Sequence, residues 1–223
     1  MCLKLTFASL NAEDAGIILK SAIESFNAGH LANATKNVKH RELALVKHVT
    51  SRIIQSQQIF YAKKHFKNIH RDFGSIRFLH QPEIDMYFKY GEFLHGVEFK
   101  LLGNSSVFYN GIEEALAQST YGIDFSWIVH FYPMDFEDIP HYQSWMSYTI
   151  EHSNCRSIGY IAATTKGCKI LIYPTIPFSR LKGIQIDRKK TVSLMRKDLI
   201  SRLKTEKELG DKRAVLKHKK PRS

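Results

Sequence analysis

Apolar residues recur every three or four positions in the first third of this chain and every second position in its middle. Ala15, Ile18, Leu19, Ala22, Ile23 and Phe26 keep helical spacing, so residues 12–28 read as a helix with Asn11 as N-cap and Gly29 as stop. Leu43, Val46, Ile53, Ile54 and Ile59 extend that period over residues 39–66, with a bend where β-branched side chains crowd residues 50–54. From Ser75 the period shortens to two. Residues 76–79, 84–88 and 93–102 then read as three sequential strands, Pro82 limiting where the second can begin.

Past Gly103-Asn104-Ser105, residues 110–121 carry Ile112, Ala115, Leu116 and Ser119 on one side and stop before Gly122, which predicts a helix. Residues 125–131 form an unbroken apolar and aromatic run of the kind a buried strand shows. Strand, helix, strand at this spacing predicts a parallel crossover. Residues 139–152 are a further helix, and residues 157–163 and 168–173, joined through Thr165-Lys166-Gly167, a late hairpin. Val192, Met195, Leu199 and Leu203 recur among Lys and Arg over residues 189–209, an amphipathic basic helix, with disorder expected beyond Gly210. The expected fold class is α/β or α+β, a mixed central sheet flanked by helices. At strand spacing Phe125, Trp127, Phe131 and Tyr132 are core residues before they are base-stacking ones.

Composition adds an asymmetry. The 223 residues carry a net charge of +12, of which residues 180–223 hold +11, from 16 Lys/Arg against 5 Asp/Glu. The expected organisation is a near-neutral core domain, 1–179, followed by a basic extension, 180–223. That charge distribution suits a polyanion, with an anionic membrane surface as competitor to nucleic acid. Lys182, Arg188, Lys189, Lys190, Arg196, Lys197 and Arg202 are the expected phosphate contacts. Cys2, Cys155 and Cys168 are odd in number and lack C-x-x-C spacing, which suits an intracellular, cytoplasmic setting. No run reaches the roughly 18 to 20 apolar residues of a membrane span, so no membrane partner is expected.

The chemistry concentrates in Gly96-Val97-Glu98-Phe99-Lys100-Leu101-Leu102. Alternation puts Glu98 and Lys100 on one face of a strand and Val97, Phe99 and Leu101 on the other. Charges on a core strand are costly unless they bind something. A turn at Lys89-Tyr90-Gly91-Glu92 would bring Asp85, on the preceding strand, beside Glu98. Two carboxylates, the Phe99 carbonyl and an ammonium would then converge. That is a hard oxygen set for Mg²⁺ with Mn²⁺ as substitute, and Lys100 would stabilise charge developing on a phosphodiester. Glu-x-Lys alone is a common triplet, equally the solvent face of a sheet.

The order of helix, hairpin acid, Glu-x-Lys strand, crossover helix and apolar strand resembles the PD-(D/E)XK nuclease superfamily over residues 39–178, with Ile158-Gly159-Tyr160-Ile161 as a late element. The resemblance implies a restriction-endonuclease-like fold and a metal-dependent DNA endonuclease in which Asp85, Glu98 and Lys100 occupy the motif positions. Pro82 is followed by Glu83 and not Asp, so Glu83 stays open as a second ligand. A Glu on the first core helix often adds a metal ligand. Glu42 is the candidate, against an ordinary helix acid paired with Lys39, and Glu24 is the fallback. Gln118 with Tyr121 approximates a Gln-x-x-x-Tyr helix motif, one residue short. His130 and His141 are the histidines placed to approach a cleft. The expected partners are duplex or branched DNA and a second copy of the chain as a homodimer. The alternative function is a catalytically inactive nuclease fold used for DNA binding or assembly.

Overall fold

The computed structural model describes residues 2–26, 38–55, 60–65, 83–102, 108–132, 139–153, 155–164 and 166–180. Toward the C-terminus it adds 196–197, 199–201 and 203–205. The chain is α/β, with one mixed sheet in the order β1-β2-β3-β4-β5-β6. Its strands are β1 (Phe60–His65), β2 (Glu83–Tyr90), β3 (Phe93–Leu101), β4 (Phe125–Phe131), β5 (Ile158–Thr164) and β6 (Gly167–Ile172). β1, β2 and β3 run antiparallel, β3, β4 and β5 parallel, and β6 returns antiparallel to β5. The parallel β3–β4 pair is the crossover expected from the sequence.

Helices cover both faces, which is why every residue of β4 is buried. On one face, α1 (Cys2–Glu24) and α2 (Val38–Gln55) place Leu19, Ile23, Leu45 and Val49 against Phe88, Val97, Phe99, Trp127 and Val129. On the other, α3 (Ile112–Ala117) and α4 (Ile139–His152) place Ala115, Met146 and Ile150 against Ile128, Tyr132 and Tyr160. Phe125, Trp127, Phe131 and Tyr132 are all buried, core as expected.

Three expectations change. Residues 60–65 are a strand and not the end of the preceding helix, because antiparallel pairing with β2 supplies the hydrogen bonds that a helical continuation would have made internally. The first helix begins at Cys2, so Asn11 lies inside it and is no cap. Its amide donates to the Tyr90 carbonyl at 3.2 Å, and its Oδ1 pairs with His95 Nε2 at 3.1 Å. His95 accepts from Trp127 Nε1 and sits between the rings of Phe88 and Phe125. Burial holds its pKa down near 3, so it is a neutral structural group. The helix also ends at Glu24, short of residue 28. Gly29 and the expected strand at residues 76–79 lie outside the described residues.

The described residues between 196 and 205 are helical, and their apolar side meets the core. Leu199 and Leu203 are buried with Ile84, Tyr87, Leu94 and Ile123. Beside them the Arg196 guanidinium donates to Asp124 Oδ2 at 2.5 Å, to the Gly122 carbonyl at 2.7 Å and to the Glu92 carbonyl at 3.0 Å. Asp124 also accepts the Leu94 N–H at 2.9 Å, which locks the start of β4 to the start of β3.

Candidate active site

β2 and β3 stay paired from Tyr90↔Phe93 as far as Met86↔Val97. Beyond that pair, side chains take the N–H groups on the β2 side of β3. Asp85 Oδ2 accepts the Phe99 N–H at 2.9 Å, and Glu42 Oε2, from α2, accepts the Leu101 N–H at 3.2 Å. Phe99 and Leu101 are two apart, so their N–H groups point the same way and bring both carboxylates to one margin of the strand. Glu98 and Lys100 project from the face opposite Val97 and Phe99, as alternation requires.

Lys100 Nζ lies 2.7 Å from Glu98 Oε1 and 3.1 Å from Glu114 Oε1 in the first turn of α3. Glu98 is 5% exposed, and its Oε2 has no hydrogen-bond partner. Burial, then the nearby charge of Asp85, pushes its carboxyl up to about 8 against the opposing pull of Lys100. Burial works against the Lys100 ammonium, but Glu98 and then Glu114 outweigh it and raise its pKa. The two directions compete, since Lys100 rises most beside an ionised Glu98. Lys100 stays charged through its more exposed partner Glu114, and the burden of burial falls on Glu98. Glu42 is also raised, first by burial and then by Asp85, although its bond from Leu101 opposes this.

Gly111 flanks Glu98 and Lys100 from the α3 side. It caps α3 with φ at +93°, and a Cβ there would stand 3.4 Å from Lys100 Cγ and 3.5 Å from Glu98 Cγ. The turn before it is held from behind by His130, directly across from Lys100 in the β3–β4 ladder, which donates from Nε2 to the Asn110 carbonyl at 2.8 Å. That leaves Nδ1 to accept from the Tyr160 hydroxyl at 3.2 Å. Burial lowers the pKa of His130 to about 4, so the imidazole is a neutral strut.

Sequence reasoning singled out Asp85, Glu98, Lys100 and Glu42, and the fold gathers them along β3. It missed Glu114, Gly111 and the support from His130. The available signal was an acidic pair, Glu113 and Glu114, opening the helix that follows the Glu-x-Lys strand. Gln118 packs on Gly96, two residues before Glu98 on β3, and its amide oxygen accepts from Ser126 Oγ at 2.8 Å. Glu24 pairs with Lys20 at 3.0 Å, near Cys168 of β6. The His141 ring lies 6.1 Å from that of Trp145 and tilted to it. The side chains of Glu83, Tyr121 and Arg202, together with Lys182, Arg188, Lys189 and Lys190, lie outside the described residues. Lys197 is exposed, whereas Arg196 is committed to Asp124 and is no free phosphate contact.

Among the described residues no three His, Cys, Asp or Glu side chains converge closely enough to hold a metal ion. The charge of Asp85 nevertheless bears on Glu98, and the unpartnered Glu98 Oε2 is the kind of buried acceptor that a cation satisfies. No described helix is long and apolar enough to cross a membrane. Comparison with protein-family models, with curated proteins and with solved structures finds no match to this chain.

Proposed function

We propose that this chain is a metal-dependent DNA endonuclease of the PD-(D/E)XK type, with a restriction-endonuclease-like fold and a basic C-terminal extension. One observation carries the reading: a buried carboxylate, Glu98, has an oxygen without a partner, an acid beside it in Asp85, and a half-buried ammonium two residues along the same strand face. A site of that composition is unstable as a structural element, because burial and like charge both oppose the ionised Glu98. A divalent cation such as Mg²⁺ reverses both penalties.

Asp85, Glu98 and the Phe99 carbonyl are the proposed ligands, with Glu42 at the margin. The bound ion would supply charge relief and an acidified water. Within the chain, Asp85 and Glu42 hold β3 by its own N–H groups, so the Glu-x-Lys face is fixed before substrate arrives. Lys100 stays protonated beside Glu114 and is available to a phosphoryl oxygen as charge builds there. Gly111, lacking a side chain, keeps that face open.

A second reading has an observation of its own. No three acidic side chains among the described residues come close enough to hold a metal ion, which suits a nuclease fold that binds DNA without cutting it. The test is cleavage of supercoiled plasmid, linear duplex and a four-way junction by wild type and Lys100→Ala, each with Mg²⁺, Mn²⁺ or EDTA. Metal-dependent scission lost in the variant is the expected result. Binding without scission in every condition selects the second reading.

A further inference from the structure

The face of α4 turned away from the core carries rings and almost no charge. His141, Trp145, Tyr148 and His152 follow one another at steps of four, three and four, a single stripe along the helix. Met146 and Ile150 take the buried side, so the helix cannot cover the stripe itself. Trp145 is 52% exposed and Tyr148 62%. The rings are already ordered against one another: His141 and Trp145 lie 6.1 Å apart, and Tyr148 and His152 stack at 3.7 Å.

Phe108 joins this stripe to the carboxylate site. Its ring lies 5.6 Å from Trp145 and 5.2 Å from Tyr109, which is itself 51% exposed. Two residues beyond Tyr109, Gly111 faces Glu98 and Lys100. Exposed rings therefore run from the helix to the margin of the site. Their chemistry narrows the occupant. The stripe has flat faces with polar edges and no aliphatic member, unlike a groove for an apolar helix. Glu151 is the only carboxylate on α4 itself. Four ring residues across twelve positions span about 16 Å, which is about four or five bases at their stacked rise of about 3.4 Å.

We infer that the Tyr109–Trp145–Tyr148 surface is a stacking platform for unpaired nucleobases, DNA or RNA, leading a single-stranded segment to the Glu98–Lys100 site. The assignment rests on the nuclease reading for what lies at the end of the platform. It narrows the substrate to nucleic acid with an unpaired stretch, such as a flap, overhang or splayed junction.

The chain's two tryptophans make the test direct. Trp127 is fully buried and Trp145 is exposed, so a ligand stacking on the surface changes the emission of Trp145 alone. Wild type in EDTA is titrated with an eight-residue oligo-dT, an eight-residue oligo-U and a blunt duplex. Saturable quenching by dT or U, and not by the blunt duplex, is expected, and the two oligomers separate a DNA platform from an RNA one. Tyr148→Ala keeps the reporter and should weaken binding of labelled oligomer roughly 5- to 150-fold, the usual loss for one stacking ring. Trp145→Ala should lose the quench and weaken binding similarly. Both residues are exposed, so melting temperatures should not move.

No quench by either oligomer, or affinities unchanged in both variants, overturns the platform. So does a protein-concentration-dependent change in Trp145 emission that Trp145→Ala abolishes together with a dimer, which assigns the face to a second copy. Quenching without metal-dependent scission of any substrate refutes the nuclease reading and leaves the platform standing. Scission without quenching refutes the platform alone.

Discussion

Glu98→Gln tests the electrostatics of the site without any substrate. The wild-type carboxyl is raised from 4.5 to about 8, first by burial and then by Asp85. A carboxyl raised on folding makes the folded chain bind more protons than the unfolded chain between those two values, so stability falls as pH rises through that window. Below about pH 4.5 the group contributes nothing, and above about 8 the full penalty is present. The slope approaches about 1.4 kcal/mol per pH unit. Between pH 5 and pH 8 the metal-free wild type should therefore lose about 3 kcal/mol attributable to Glu98, or about 6 to 12 °C in Tm for a domain of this size. Gln keeps an acceptor for Lys100 Nζ and removes the titration. Urea and thermal unfolding of both proteins in EDTA at pH 5, 6, 7 and 8 isolate the effect as the difference between two curves. The proteins should be close at pH 5, and the variant should be the more stable at pH 8. Mg²⁺ at pH 8 should then stabilise wild type and not Glu98→Gln. Parallel pH curves for the two proteins would refute the account of Glu98 as a strained, buried carboxylate.

Leu203→Ala should cost about 2 to 5 kcal/mol, because the side chain is buried among Ile84, Tyr87 and Leu94; its urea midpoint checks this. Arg196→Ala leaves Asp124 its bond from Leu94 and removes a partly exposed partner, so about 1 to 2 kcal/mol is expected, with faster protease cutting after residue 180. At Gly111→Ala the new Cβ meets only ordinary contacts at 3.4 and 3.5 Å, so the cost is the backbone conformation, about 1 to 2 kcal/mol. That variant should lose scission more than DNA affinity, measured side by side. If the basic extension neutralises about six phosphates, log K should fall with log salt at a slope of about −5, and changing Lys182, Arg188, Lys189, Lys190 and Lys197 together to Gln should flatten it. Substitution serves better than deletion of the extension, since Leu199 and Leu203 belong to the core.

The central sheet was legible because β2, β3, β4 and the β5–β6 hairpin each carry a period or an apolar run that only a covered strand satisfies. Asp85, Glu98 and Lys100 were legible because they interrupt that pattern. Residues 60–65 were not: their pairing with β2 is a tertiary contact, and locally they continue a helical period. Asn11 looked like a cap because its type favours caps, and no local signal announces a bond to His95. The Arg196–Asp124 pair joins residues 72 apart in sequence, so a basic residue of the extension read as a phosphate contact although it serves the core. Glu114 and Gly111 reach the site only because the crossover helix begins directly above Lys100.

The most direct measurement is the single-turnover rate of strand scission by wild type, Glu98→Gln and Lys100→Ala, on a duplex carrying a single-stranded overhang, in Mg²⁺ and in EDTA. The account predicts scission by wild type only with metal, and a loss of at least about 100-fold in each variant while DNA affinity changes little. Equal rates in all three proteins, or scission that persists in EDTA, would contradict it.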